Sequence, residues 1–446
     1  MQDIVDTIAS RRADYLSRLT RLCRQPSIAA QGVGMAETAS LVEQMLREVG
    51  AVTRQVPTAG YPVVYAEIGE GERTLLFYNH YDVQPPEPLD EWTSDPFAAE
   101  VRDGALYARG VADNKGNIAA RIAAVDAYLA ARGKLPCRVK FIIEGEEEIG
   151  SPSLPAFAEA NRDLAQADAC VWEAGYADLE GRREIYLGVK GILYVELEAR
   201  KAVTDWHSSW ATIVPNAAWH LLRALVALKD ADGRVLIPGF YDRVRPPTEA
   251  DLDALRRMPF DEPGRLTQLG IPAFNRGLTG MTLLEEHLFQ PTCNIAGISS
   301  GYIGPGMKTV LPHRAVAKLD FRLAPDQDPH EIFSLLAHHL QAQGFGDVEL
   351  RLLSAEHPAR TPVDHPFARL VEQVTREVSG KEPVVYPLTP ATGPMHALCA
   401  RYGIPAASTG VGHANSRVHA PNESVLLEDF YMGIGQIAGI MERFGV

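Results

Sequence analysis

The sequence predicts an α/β fold with an α+β layer in its middle. Three observations carry that prediction. Short apolar runs at 74–79, 137–143 and 168–172 each stop at a histidine or a carboxylate, as buried strands do at a ligand-binding sheet edge. After Asp113, apolar residues recur at Ile118, Ile122, Val125 and Leu129, the spacing of one helix face. The segments Tyr194–Arg200 and Ala317–Leu323 instead alternate apolar and polar residues, the period of a strand with one wet face.

The first run, Thr74 to Asn79, leads into His80-Tyr81-Asp82. A parallel strand delivers its last residues to the carboxyl edge of the sheet, so His80 stands where a metal ligand is useful. Asp82 is placed to hydrogen-bond the imidazole. A metal-binding histidine commonly gives its second N–H to a carboxylate, which fixes the tautomer. Asp113 lies in a tight loop before a helix that Gly133 and Pro136 end. A carboxylate there can cap the helix or bridge two cations, one oxygen each. The strand from Cys137 runs into Glu144-Gly145-Glu146-Glu147-Glu148. Carboxylates this close repel one another, which costs stability unless cations or protons offset it. Two neighbouring glutamates can divide labour, one binding metal and the other taking a proton from water. Glu173 ends a further apolar stretch. His419, in the run Gly412 to Glu423, is either a last ligand or a loop histidine.

In the middle of the chain, Asn216 is placed to cap a helix carrying Trp219, Leu222, Leu225 and Leu228. Alternating strands combined with helices suggest a layer with one sheet face exposed. The chain has 446 residues, long enough for two domains with cores of their own. Its net charge of -14, without a basic patch interleaved with aromatics, argues against nucleic acid as a partner. Five scattered cysteines lack metal-type spacing and suggest a reducing, cytoplasmic compartment. Arg11 and Arg12 are not followed by an apolar stretch, so no signal peptide is expected, and no run is long enough to span a membrane. Cys170 reads as a buried structural thiol.

The order H-x-D, D-N-K-G, E-E-x-G-S, a lone D/E, and H-x-P-N-E resembles the co-catalytic di-zinc peptidases. That family includes carnosinase and cytosolic dipeptidases, carboxypeptidase G, acetylornithine deacetylase and succinyl-diaminopimelate desuccinylase. The resemblance implies a zinc-peptidase catalytic domain, with a mixed sheet between helices, and an inserted α+β lid and dimerisation domain. The catalytic domain would comprise 1–190 and 358–446, the lid 191–357. The resemblance also implies two divalent metal ions, zinc before manganese or cobalt. His80 and Glu173 would complete one metal position, Glu148 and His419 the other, with Asp113 bridging. Ile149-Gly150-Ser151 sets the register, making Glu147 the general base and Glu148 the ligand. Asp82 would orient His80, and a cis peptide would follow Asp113.

In the inserted domain, Asp205-Trp206-His207-Ser208 resembles a segment whose histidine helps stabilise the oxyanion, in many members in the partner subunit's site. The lid segments around Thr309 and Arg322 match ones that contact substrate in the dipeptidase branch, and Arg322 can pair with a carboxylate. His357 is a further candidate for that pocket, and Gly393 falls in a family substrate loop, here altered. The expected reaction is metal-dependent hydrolysis of the amide bond in a dipeptide or short peptide with a free C-terminal carboxylate. The alternative is deacylation of an N-acyl amino acid by the same site. A homodimer formed through the lid is expected.

Overall fold

The computed structural model describes residues 1–446. Strands of the large sheet begin with β1 (Val52–Val56), β2 (Val63–Ile68), β3 (Thr74–His80), β4 (Arg138–Glu144), β5 (Ala169–Trp172) and β6 (Glu184–Tyr186). The middle of the chain adds β7 (Gly191–Arg200), β8 (Asn294–Ser300), β9 (Arg314–Leu323) and β10 (Glu349–Glu356). The C-terminal part contributes β11 (Val384–Tyr386) and β12 (Ala406–Ser408). The large sheet has the order β1-β2-β4-β3-β5-β12-β6-β11, so both ends of the chain build it.

The sheet is mixed, and its centre is parallel. β3 runs parallel to β4, with His80 beside Glu144, and parallel to β5, with Phe77 beside Val171. Three strand ends therefore meet at one edge. The apolar runs read as buried strands because both sheet faces are covered. Leu75 and Phe77 join a core of 60 buried residues drawn from both ends of the chain. Leu76 and Tyr78 point into a second core of 19 residues on the other face. Each such side chain contributes roughly 1.5–3 kcal/mol on burial.

The helix Gly116–Arg132 covers one face and ends at Gly133, whose φ of +75° is the left-handed conformation glycine adopts freely. Its Arg121 is buried and donates to the Tyr78 carbonyl at 2.5 Å, Asn79 Oδ1 at 2.6 Å and the Trp172 carbonyl at 2.5 Å. One guanidinium thus ties the ends of β3 and β5 together.

The inserted unit is an antiparallel sheet of order β8-β9-β7-β10 with its own core of 22 buried residues between Leu193 and Val348. Asn216 caps the helix Ala217–Val226, its Oδ1 accepting from the Ala218 and Trp219 amides at 2.8 and 3.2 Å. Not all of its apolar residues face the sheet. Leu221, Ala224 and Leu225 pack inward, Trp219 is 63% and Leu222 40% exposed, and Leu228 lies beyond the helix end. The residues at Trp219 and Leu222 face away from the sheet, on the side left without a partner within the chain. β8 is an edge strand, and its residues from Asn294 to Ser299 are all exposed.

Candidate metal centre

Three parallel strands and two loops bring six ionisable groups to one point. His80 is the last residue of β3. Asp113 sits in the tight turn Val111–Lys115, with a cis bond to Asn114, directly before the helix Gly116–Arg132. Glu147 and Glu148 follow β4 in a single turn, and Glu173 follows β5. His419 comes from a C-terminal loop and has a φ of +61°.

Ligand atoms of His80, Asp113 and Glu148 all lie within 4.8 Å of one another. His80 Nε2 is 3.0 Å from Asp113 Oδ1, 3.6 Å from Glu173 Oε2 and 4.0 Å from Glu147 Oε2. His419 Nε2 is 3.1 Å from Glu148 Oε2 and 3.5 Å from Asp113 Oδ2. Asp113 therefore faces a different imidazole with each oxygen, the arrangement expected of a bridge.

Asp82 does more than orient a ring. The Nδ1 of His80 lies 3.1 Å from the Asp82 carbonyl and 3.3 Å from its Oδ1. The same carboxylate accepts from the amides of Glu147 at 3.3 Å and Glu148 at 2.9 Å. One buried side chain thus sets His80, the candidate base and a candidate ligand together. Gln84 donates to Glu148 Oε2 at 3.0 Å. Below, Glu144 accepts from the Tyr78 hydroxyl at 2.5 Å and from Ser151 Oγ at 2.9 Å, which closes the glutamate turn from beneath. The ring of Tyr78 stacks on Trp172 at 3.8 Å, and Trp172 Nε1 donates to Glu173 Oε1 at 3.2 Å.

The electrostatics are those of a site built for positive charge. Burial and the Glu173 carboxylate raise the Glu147 carboxyl well above its usual range. Burial also raises Glu173, to about 7, with His80 opposing. Burial disfavours the charged form of His80, but the hydrogen bonds to Asp113 and Asp82 outweigh it and hold the imidazolium well above its usual range. Burial likewise opposes charge on Asp113, yet the bonds to His419 and His80 keep its carboxylate well below the usual range. Asp113 and Glu148 push His419 up to about 10.

Two buried oxygens, Glu148 Oε1 and Glu173 Oε2, have no hydrogen-bond partner. An unpaired buried carboxylate oxygen is costly, and one belongs to each of the two expected metal positions. Nitrogen and carboxylate donors suit zinc and other divalent ions. The residues therefore fit two cations.

The remaining candidates divide among three places. Arg322, on β9, donates from Nη1 to Thr392 Oγ1 at 2.6 Å. The next residue, Gly393, borders the cluster: a Cβ built there would lie 3.9 Å from Glu173 Oε1. His207 and Thr309 lie elsewhere, exposed on the inserted unit and bonded to each other at 3.1 Å. Within this chain no contact joins them to the cluster. His357 is stacked on His396 at a centroid distance of 4.4 Å, in a cleft it shares with Arg243, Asp328 and Arg360. Gln84, Thr392 and Glu423 were not assigned roles from the sequence. Glu423 stands in the quoted C-terminal motif, but a carboxylate's partners there cannot be read from spacing.

Comparison with known proteins agrees with this geometry. The profile of Peptidase family M20/M25/M40 matches residues 76–443. Beta-Ala-His dipeptidase of Homo sapiens is 31% identical over 333 residues, 72% of this chain, which spans 65% of that relative's length. Succinyl-diaminopimelate desuccinylase of Rhodopseudomonas palustris is 26% identical over 97% of this chain and 98% of its own. The crystal structure of the M20 family metallo-carboxypeptidase Sso-CP2 from Sulfolobus solfataricus superposes with a TM-score of 0.90 at 40% identity, covering 97% of this chain and 99% of that one. The matched segment contains every strand end that feeds the cluster, and this chain belongs to peptidase family M20/M25/M40.

Proposed function

We propose that this chain is an amide hydrolase acting on dipeptides or short peptides with a free C-terminal carboxylate. One observation carries the reading: Asp82 holds the Glu147 amide and His80 at once, so a candidate base is fixed beside the metal cluster. His80 and Glu173 would hold one divalent cation and Glu148 and His419 the other, with Asp113 placed between the two imidazoles to serve both. Zinc suits this donor set, with manganese and cobalt as alternatives. Bound there, the cations supply Lewis acidity and make water a usable nucleophile at neutral pH.

Glu147 takes the proton of the attacking water and returns it to the leaving amine nitrogen. A carboxylate fixed beside the cluster is suited to accept a proton and release it within one turnover. Arg322 binds the C-terminal carboxylate, for which the planar guanidinium is well matched. Thr392 steadies that side chain, and Gly393 leaves room beside Glu173. His357 serves the far end of the substrate from the neighbouring cleft, where it stacks on His396, three positions after Gly393.

His207 and Thr309 complete the site of a second copy. Support comes from their exposed, mutually bonded position and from the exposed edge of the inserted unit, where β8 and Trp219 lack a partner within the chain. We place the domain junctions at 190/191 and 357/358, and the protein in the cytoplasm, where its five free, buried cysteines would stay reduced. No helix is long and apolar enough to cross a membrane.

The test is a panel of dipeptides, their C-terminal amides and N-acyl amino acids, with zinc- or manganese-loaded protein and a chelated control. Metal-dependent cleavage of dipeptides but not their amides is expected. The full-length match to a desuccinylase supports a second reading, deacylation, which cleavage confined to N-acyl substrates would establish. No cleavage of any member by protein that holds two metals would overturn both.

A further inference from the structure

The two expected metal positions are not built alike. His80 and Glu173 are delivered by adjacent parallel strands at the sheet edge, with side chains 1% and 15% exposed. His419 comes from a loop, its side chain is 52% exposed, and its ring meets only Asp113 and Glu148. Outside those two cluster carboxylates nothing holds the ring, so the backbone of the loop sets its position.

Arg109 donates to the Ala420 carbonyl at 3.4 Å and Asn422 bonds the Thr93 amide and the Glu91 carbonyl at 2.9 Å each, but the link from that backbone to the Asp113 turn is made by a buried side chain four residues on. Glu423 is 1% exposed. Its Oε2 accepts from Arg109 Nη1 at 2.7 Å and from the Gly110 amide at 2.8 Å. Its Oε1 accepts from the amides of Ala112 at 2.8 Å and Asp113 at 3.1 Å. The Glu423 carbonyl also accepts from the Ala108 amide at 3.1 Å. The Asp113 turn is thus wrapped around Glu423. Gly110 permits this, with a φ of +83° and with Val83 so close that an added Cβ would lie 2.2 Å from its Cγ1. One carboxylate therefore joins the loop of the bridging ligand to the loop of His419.

We propose that Glu423 is a positioning residue that fixes His419 relative to Asp113 and so sets the affinity of the Glu148–His419 metal position, leaving the His80–Glu173 position largely untouched. The proposal rests on the two-metal reading above. Loss of a partner that orients a ligand typically weakens metal binding about tenfold to a hundredfold. Glu423→Gln keeps the shape but puts an NH₂ where one oxygen stood, against N–H donors that need an acceptor.

The experiment titrates the full chain with zinc alone under buffered metal. It records stoichiometry, both dissociation constants, and the zinc concentration needed for half-maximal turnover. Glu423→Gln should keep one site at wild-type affinity and weaken the other by about tenfold or more, with turnover recovering at high zinc. Glu423→Asp, too short to reach all four donors, should fall between. Should Glu423→Gln fail to fold, Arg109→Lys replaces it, with a smaller shift of the same site. Two full-affinity sites in the variant overturn the proposal, as does equal weakening of both, which marks a general structural role. Wild-type protein that binds no zinc overturns the two-metal reading itself and the proposal with it.

Discussion

The floor of the site and the inserted unit that carries the remaining candidates are finished to different degrees. On the floor, four of the five candidate ligands have a partner that orients them: Asp82 for His80, Gln84 for Glu148, Trp172 for Glu173 and Glu423 for the Asp113 turn. On the inserted unit, Arg322 has one such partner, and His207 is held by Thr309 and by Ser209, all on the exposed surface. The difference teaches that the chain by itself finishes the surroundings of the carboxylate–imidazole cluster and leaves the His207–Thr309 pair without a contact to it.

The comparison breaks first at Glu147. Glu147→Gln should lower kcat by about a hundredfold to ten-thousandfold while bound metal stays at two per chain. Near-normal turnover, measured beside metal analysis, would remove Glu147 as base and shift the chemistry elsewhere on the floor. On the other side, His207→Ala should cost about a hundredfold to a thousandfold in kcat with metal content unchanged. Mixing that variant with inactive Glu147→Gln subunits sharpens the point. If His207 acts across a dimer, an equal mixture regains about one quarter of wild-type activity, because one site in each mixed dimer is intact. No recovery from exchanging dimers would place His207 in its own subunit's site or outside catalysis.

Arg322→Met should raise KM for free dipeptides by about tenfold to a hundredfold, the worth of a charge-assisted pair, and narrow the preference for free dipeptides over their amides. A loss of activity that leaves that preference intact would mean that Arg322 supports the loop of Thr392 rather than the carboxylate. The smallest effect concerns protons. In the metal-free protein Asp113 and Glu148 raise His419 from its ordinary 6.5 to about 10. A raised folded value means that this pairing stabilises the fold fully below about 6.5 and is lost as pH rises through about 10. At pH 7 a cation must expel that proton. Calorimetric titration with zinc in two buffers of different ionisation enthalpy should show proton release, which His419→Ala should diminish.

Much of the floor was legible before any coordinates. Runs such as Thr74 to Asn79 and Ala169 to Trp172 are short, apolar and end in donors, and burial on both faces leaves few other readings. The helix after Asp113 was legible from its period and its terminal glycine. The stripe on Ala217–Val226 was less so. Trp219 and Leu222 share an apolar face that this chain does not cover, and a residue's hydrophobicity does not say whether its partner is in the same chain. Glu146, Glu147 and Glu148 are chemically equivalent as letters. In space Glu146 packs against Gly60, and only the other two face the cluster or its support.

The sequence by itself determined the donor set, its order along the chain and the strands that deliver half of it, because local periodicity and residue chemistry are properties of short segments. Tertiary structure alone decided that Asp82 serves three residues, that Glu423 binds a turn more than three hundred positions away, and that His207 stands apart from the cluster. Hydrogen bonds between distant segments leave no periodic trace, since their geometry exists only after both cores have packed.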